Sequence, residues 1–200
     1  MDPFLWEQPV YEGQEFMGLS CPGEMISGKV FQDCYFEGCN FSESQFLSCE
    51  FQDCRFNHCE LSLVSVKGSQ FKGVRFEDSK AIGINWAEAS WPQLGGLESI
   101  DFTGCVLNYA SFFGLRMKMR KLVGCAALEV DFAEADFTDA DCTGTDFQRS
   151  RFLHTNLTRA DFTGARNYSI SPLLNQIKQA KFSLPEAMSL LYNLEITLVE

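Results

Sequence analysis

Residues 31–60 read FQDCYFEGCNFSESQFLSCEFQDCRFNHCE, and a large apolar residue returns at every fifth position: Phe31, Phe36, Phe41, Phe46, Phe51 and Phe56. The grid extends back through Ile26, Cys21 and Phe16 to Tyr11. Forwards it passes Leu61, Val66, Phe71, Phe76, Ala81 and Trp86 to reach Trp91. It slips by one residue, resumes at Phe102, and continues through Leu107, Phe112, Met117, Leu122, Ala127, Phe132, Phe137, Cys142, Phe147, Phe152 and Leu157 to Phe162. Two positions before each grid residue lies a second, mostly small series. It contains Cys34, Cys39, Cys49, Cys54 and Cys59, then residues such as Ser69, Ser79, Ala110, Ala135, Thr145, Ser150 and Ala160.

A period of five suits neither ordinary element. Five steps of an α-helix turn the chain by roughly 500°, which scatters the phenylalanines around the axis. Five steps of a flat strand send successive ones to opposite faces. The backbone must instead regain one orientation every five residues, as a coil of short sides joined by turns does, and a long run of such repeats stacks into a solenoid.

The pattern is similar to that of the pentapeptide-repeat family, in which a small residue and Asp or Asn precede an inward Leu or Phe and two variable positions. Ala135-Asp136-Phe137-Thr138-Asp139 and Ala160-Asp161-Phe162-Thr163-Gly164 match it in full, and the likeness covers about residues 11–166. It implies an all-β solenoid: a right-handed quadrilateral β-helix, four pentapeptides per coil, with a short C-terminal α-helix and strand. Thirty grid positions give about 7.5 coils and a rod about 36 Å long. The slip at 92–101, with its Gly95-Gly96 pair, predicts a bulge or small loop. Arg120 occupies a position where the small inward residue belongs, so local distortion is expected near residues 113–121.

An open β-helix needs caps. Phe4, Trp6 and Val10 are the N-terminal candidates. The five-residue period ends near 166, and residues 167–200 read as a C-terminal cap and dimerisation segment. Ser171-Pro172 begins a short helical stretch through Leu174 and Ile177. Ser183-Leu184-Pro185-Glu186 reads as an N-cap, a first-turn proline and a capping-box glutamate, opening a helix that ends near Asn193. Leu194, Ile196 and Leu198 alternate with polar residues as in a half-buried strand. Leu184, Met188, Leu191, Leu194, Ile196 and Leu198 therefore either cap their own rod or join two rods end to end about a two-fold axis, and gyrase-protecting members of the resembling family dimerise at this end.

The net charge is −11, which disfavours nucleic acid and anionic lipid as direct partners. No run is long enough to span a membrane and the start lacks the form of a signal peptide, so the expected location is cytoplasmic. The nine cysteines include no CxxC pair and five sit on the five-residue grid, which reads as buried thiols rather than zinc ligands or disulfides. His58 and His154 fall at outward positions far apart, and no catalytic motif is visible, so neither an enzyme nor a metal or cofactor site is expected.

Averaged over the rod, one net negative charge falls every 3.3 Å or so, about half the density of duplex DNA. The richest stretch, residues 127–165, is net −5 and holds Asp131, Asp136, Asp139, Asp141, Asp146 and Asp161. With four repeats per coil, residues 20 apart stack, so Asp141 lies over Asp161 and Asp131 meets Arg151. Each Asp alone reads as a local backbone-bonding residue; together they read as an anionic partner surface. Residues 92–126 are net +2 and contain the basic cluster Arg116, Lys118, Arg120 and Lys121. The stretches Ile84-Asn85-Trp86 to Trp91-Pro92, Phe112-Phe113-Gly114-Leu115 and Phe182 to Ala187 most resemble family members conferring albicidin resistance. Those giving immunity to microcin B17 or quinolone resistance are more distant. The resemblance implies a non-catalytic mimic of DNA that binds DNA gyrase and topoisomerase IV. An anionic scaffold with a partner unrelated to DNA is the alternative.

Overall fold

The computed structural model describes residues 6–91, 99–194 and 196. Phe4, residues 92–98 of the slip, and Leu198 of the C-terminal strand lie outside the described residues. The chain winds into a right-handed four-sided β-solenoid of about 8 coils. On the first face, Val10–Glu12, Val30–Gln32, Glu50–Gln52 and Gln70–Lys72 pair in parallel, 20 residues apart. The second face runs through Glu15–Met17, Tyr35–Glu37, Arg55–Asn57, Val74–Glu77, Ile100–Thr103 and Leu122–Val123. The third is a ladder of single bridges, from Ser20↔Asn40 to Asp146↔Arg166. The fourth begins with Met25–Ser27 against Gln45–Leu47.

Each grid side chain points inward and stacks on its counterpart one coil away. Phe36 and Phe56 are 4.5 Å apart and 4° from parallel, and Phe31 and Phe51 are 5.0 Å apart at 7°. Rings on neighbouring faces meet edge to face, as Phe31 and Phe36 do at 5.7 Å. This combination of offset stacks and edge contacts is the arrangement that aromatic quadrupoles favour.

The small inward residues hold the coils together through hydrogen bonds. Most thiols and hydroxyls in the series donate to the carbonyl of the grid residue 23 positions earlier, as Cys54 does to Phe31 at 3.3 Å, Ser69 to Phe46 at 2.8 Å and Thr155 to Phe132 at 3.0 Å; across the slip Cys105 reaches Phe76, 29 positions back, at 3.3 Å. Ser69 Oγ also accepts from Cys49 N–H at 2.9 Å. All nine cysteines are free and buried. Burial pushes the thiol of Cys54 up to about 12 and that of Cys21 to about 11.

At the slip, Val74 pairs with Ile100 and Phe76 with Phe102, an interval of 26 residues instead of 20. Trp91 still stacks on Phe71 at 6.1 Å, and Ser99 N–H donates to Phe71 C=O at 3.0 Å. The six additional residues therefore fall between two positions that keep the ordinary register.

Five sequence expectations are corrected. Val10 is a strand residue facing outward; the N-terminal cap is Trp6, whose ring meets Tyr11 and Phe31 edge to face, each at 5.7 Å. Arg120 distorts nothing: its neighbours Arg116 and Lys121 keep their bridges to Asp136 and Asp141. Its guanidinium turns outward, donating to Lys118 C=O at 3.3 Å and lying 3.9 Å from Asp101.

The solenoid does not end at 166, and 171–177 is not helical. Asn156 bridges Gln176, and Asp161–Phe162 pairs with Lys181–Phe182, so Ile177 and Phe182 continue the inward grid. Asn175 replaces the small hydroxyl residue, donating to Phe152 C=O and accepting from Thr155 N–H at 2.9 Å. The coil part of the chain thus reaches Phe182.

The capping box does not form either. Ser183 Oγ accepts from Gly164 N–H at 2.9 Å and Glu186 Oε1 from Asn167 N–H at 2.5 Å, so both side chains tie the cap to the last coil. The helical segment is a 3₁₀ turn, Glu186–Met188, followed by a single α-turn, Ser189–Tyr192. Asn193 closes it and donates to Ile170 C=O at 3.4 Å.

Replacing Ser69 by Ala leaves the Phe46 carbonyl and the Cys49 N–H without partners. We expect a loss of about 2 kcal/mol in urea denaturation, against a smaller loss for Ser69→Cys, a residue this position holds in other coils. The native protein should resist thiol-labelling reagents at pH 8 and expose all nine thiols on unfolding.

Candidate functional site

The 20-residue register decides which charged side chains meet. A residue at one outward position lies beside the residue 20 further on, so each acid's environment is set by its neighbour in the next coil. Four of the six candidate aspartates meet a cation there. Asp131 receives both Nε and NH2 of Arg151 (3.0 and 2.6 Å), Asp139 receives Arg159 in the same two-pronged way (2.6 Å each), Asp146 receives Arg166 at 2.9 Å, and Asp161 receives Lys181 at 2.9 Å. The remaining two bind locally: Asp136 Oδ1 accepts from the N–H and hydroxyl of Thr138, and Asp141 Oδ1 from those of Thr143.

These contacts shift the carboxyl groups. The hydrogen bond from Lys181, with help from Thr163, holds Asp161 down at about 2. The Arg159 guanidinium lowers Asp139. In Asp146, burial acts upward but is outweighed by Asn167 and Arg166, and the net direction is down.

The six do not share one surface. Asp141 and Asp161 stand on the second face, Asp136 on the first, Asp139 at the corner between them, Asp146 on the third and Asp131 on the fourth.

The first coils differ. Residues 6–54 contain nine acidic side chains (Glu7, Glu12, Glu15, Glu24, Asp33, Glu37, Glu43, Glu50, Asp53) and one base, Lys29. All eight ion pairs among the described residues involve partners at or beyond Arg55. The residues 20 beyond Glu12, Glu15, Asp33 and Glu50 are Gln32, Tyr35, Asp53 and Gln70, none of them cationic. Sequence reading by segment totals passed over this group. The signal lay in the pairs i and i+20: Glu129, Asp131, Asp139, Asp146 and Asp161 each have a cation there, and Glu12, Glu15, Asp33 and Glu50 do not.

Among the described residues, no group of three metal-ligating side chains converges, and no helix is long and apolar enough to cross a membrane. A gap inside the rod, lined by residues including Phe46, Leu61, Val66 and Trp86, is too narrow for a water molecule. His58 and His154 stand at outward corners of separate coils.

The profile described as Pentapeptide repeat region matches residues 29–112, and Pentapeptide repeats (8 copies) matches 128–166. The chain is a member of the pentapeptide-repeat family. No curated protein matches its sequence. Among solved structures, a trypsin-treated variant of QnrB1, a plasmid-mediated fluoroquinolone resistance protein, superposes with a TM-score of 0.63 at 20% identity, covering 95% of this chain and 100% of that one. A second trypsin-treated QnrB1 variant gives 0.61 at 20% identity, with 96% and 99% covered. At that identity the likeness shows the fold, which this pentapeptide-repeat protein shares along nearly its whole length.

Because Asp161 is held low in the folded state, its contribution to stability is complete above its ordinary value of 3.8 and is lost as pH falls towards 2. Asp139 and Asp146 shift in the same direction. Lowering the pH from 5 to about 2.5 should therefore lower the unfolding midpoint. Lys181→Met should make that acid-induced drop smaller; an unchanged drop would show that the pair does not hold Asp161 low.

Proposed function

We propose that this pentapeptide-repeat protein is a non-catalytic mimic of duplex DNA that binds DNA gyrase, and topoisomerase IV as a related target, and protects it from a topoisomerase poison in the cytoplasm. The observation that carries the reading is the charge of the first coils. Residues 6–54 are net −8 and occupy somewhat more than two coils, or one net negative charge per about 1.5 Å of rod. Duplex DNA carries one per about 1.7 Å. The whole-rod average conceals this, because acids and cations compensate each other beyond residue 55. The fold shared with a fluoroquinolone resistance protein supports the same reading.

In this reading the protein works as a homodimer joined at its C-terminal ends. Leu184, Met188 and Ile196 are exposed there, together with Tyr192 at 70%, while Leu191 and Leu194 are half-buried. Apolar side chains so exposed at the end of a rod gain most from a second copy. Asp136, Asp139, Asp141 and Asp161 form a secondary contact surface near that end, with Asp131 and Asp146 on the flanking faces.

The test is gyrase supercoiling in the presence of albicidin, a quinolone or microcin B17, with and without the protein at micromolar levels. We expect protection that is lost in Glu12→Lys/Asp33→Lys/Asp53→Lys and weakened less in Asp136→Lys/Asp141→Lys. Neither protection nor inhibition by the native protein would overturn the proposal. Protection that survives both sets of reversals would mean that charge mimicry is not its basis. For the dimer, Leu184→Asp/Tyr192→Asp should halve the mass seen in sedimentation.

A further inference from the structure

The edge between the third and fourth faces gathers exposed apolar side chains. Its corner residues stack in the order Glu43, Leu63, Gly83, Tyr109, Glu129 and Arg149, each of the first five donating its N–H to the carbonyl just before the next. Leu63 and Tyr109 are 59% and 56% exposed and hold a left-handed backbone, at φ 61° and 62°. Of the 17 non-glycine corners among the described residues, only these two and Met119 carry a largely apolar side chain. Such a residue burdens the rod with both backbone strain and apolar exposure, a combination kept where a surface binds something. Leu63 leans along the edge over Gly83, where a Cβ would lie 2.7 Å from its Cδ2.

The fourth face continues the patch. The outward positions that follow its inward residues hold Leu47, Lys67, Ala87, Phe113, Ala133 and Leu153, and Phe113 is 42% exposed. Two of its acids are closed within the chain: Glu129 meets Arg149 at 3.3 Å and Asp131 meets Arg151 at 2.6 Å. Glu43, Lys67, Glu88 and Glu134 form no ion pair among the described residues. The acidic corner of Asp33 and Asp53 and the two shoulders of the slip, Trp91 and Ser99, stand on the diagonally opposite edge.

We infer that the fourth face, with this edge, docks on the same face of a second copy, antiparallel, about a two-fold axis between the fourth and fifth coils. The fourth coil then lies opposite the fifth of the other copy, the third opposite the sixth and the second opposite the seventh. Tyr109 meets Gly83 with its covering Leu63, Phe113 meets Ala87, and Leu47 meets Leu153. Each large apolar side chain thus faces a small or apolar one, and the two-fold makes every contact twice. The charges agree with this occupant. Glu43 comes opposite Arg149, and Lys67 opposite Ala133 with Asp131 beside it. Glu88 and Glu134 face Gly114 and Gly68, Glu129 faces Leu63, Arg151 faces Gln45 and His154 faces Ser48. No level sets like charges against each other. Six coils of about 4.8 Å and a side about 10 Å wide make a contact at the small end of specific interfaces, so association depends on concentration. The contact is separate from the C-terminal end, leaves Asp33 and Asp53 facing away, and is independent of the topoisomerase reading.

Cross-linking tests the register, because the nine native thiols are buried. Positions 47 and 153 face each other across the axis, whereas the two copies of position 47 lie about five coils, roughly 24 Å, apart. A short bismaleimide should therefore link an equimolar mixture of Leu47→Cys and Leu153→Cys several-fold more than either variant alone. Sedimentation of the full-length native protein from roughly 1 to 300 µM should show its mass at least doubling, whatever state the C-terminal end sets. Tyr109→Asp/Phe113→Asp, with native circular dichroism, should keep the low-concentration mass throughout. A native mass indifferent to concentration, a mixture that links no better than its components, or doubling that survives Tyr109→Asp/Phe113→Asp would overturn the inference. Doubling abolished by Leu184→Asp/Tyr192→Asp alone would assign the contact to the rod ends and overturn it equally. None of these readouts involves gyrase, so the two proposals fail separately.

Discussion

The structure depends on one closure condition: each coil must return to its starting direction in time to place its inward residue over the one before. When it does, the backbone ladder, the ring stacks and the hydroxyl or thiol bonds to the previous coil all form together. When it does not, all three are lost at once. The interval between Val74 and Ile100 shows what the condition does and does not constrain. It sets where a coil ends, not how many residues it spends. Trp91 holds the near side, stacked on Phe71 and donating its indole N–H to Trp86 C=O at 2.8 Å; Ser99 holds the far side through Phe71 C=O.

The corners bear the cost of that closure. Thirty described residues, one after nearly every inward position, adopt a left-handed backbone, and 17 of them are not glycine. At Gly73 the reason for glycine is plain, since a Cβ there would lie 2.2 Å from Asp53 Oδ1. Leu63, Tyr109 and Met119 bear the Cβ penalty, about 1–2 kcal/mol each, while standing more than half exposed. Stacking between coils is strong enough that individual corners need not be optimal.

How much of this was legible in the sequence follows from the same condition. The inward grid was visible because burial restricts each grid position to a large apolar residue and each position two before it to a small one. The coils after 166 were hidden because two successive grid positions hold Asn167 and Pro172, and the core there is filled from off the grid by Tyr168 and Ile170. Ser183 and Glu186 have the local form of a capping box, but a local motif does not say whether the nearest unpaired N–H belongs to its own helix or to the last coil; here Gly164 and Asn167 claim them. Arg120 was misjudged for a related reason. A corner lies beside the surface, and a long stem lets a guanidinium reach water while its backbone stays in register.

The register also turns charge into a question of partners rather than totals. Residues 127–165 are net −5 by count, yet Asp131, Asp139, Asp146 and Asp161 each lie against a cation one coil away, so the field they project is small. The first coils do the reverse: Asp33 and Asp53 occupy the same corner one coil apart, and neither forms an ion pair among the described residues, the nearby Arg55 being turned to Glu77. Stacked like charges oppose the fold by a few tenths of a kcal/mol each, and nothing inside the rod offsets that. Most acids after residue 127 have a structural reason to be where they are: a cation one coil away for Asp131, Asp139, Asp146 and Asp161, and a threonine two residues on for Asp136 and Asp141. Among the described residues the acids before residue 55 have no ion-pair partner; Glu37 is held instead by hydrogen bonds from Tyr35 and Asn57.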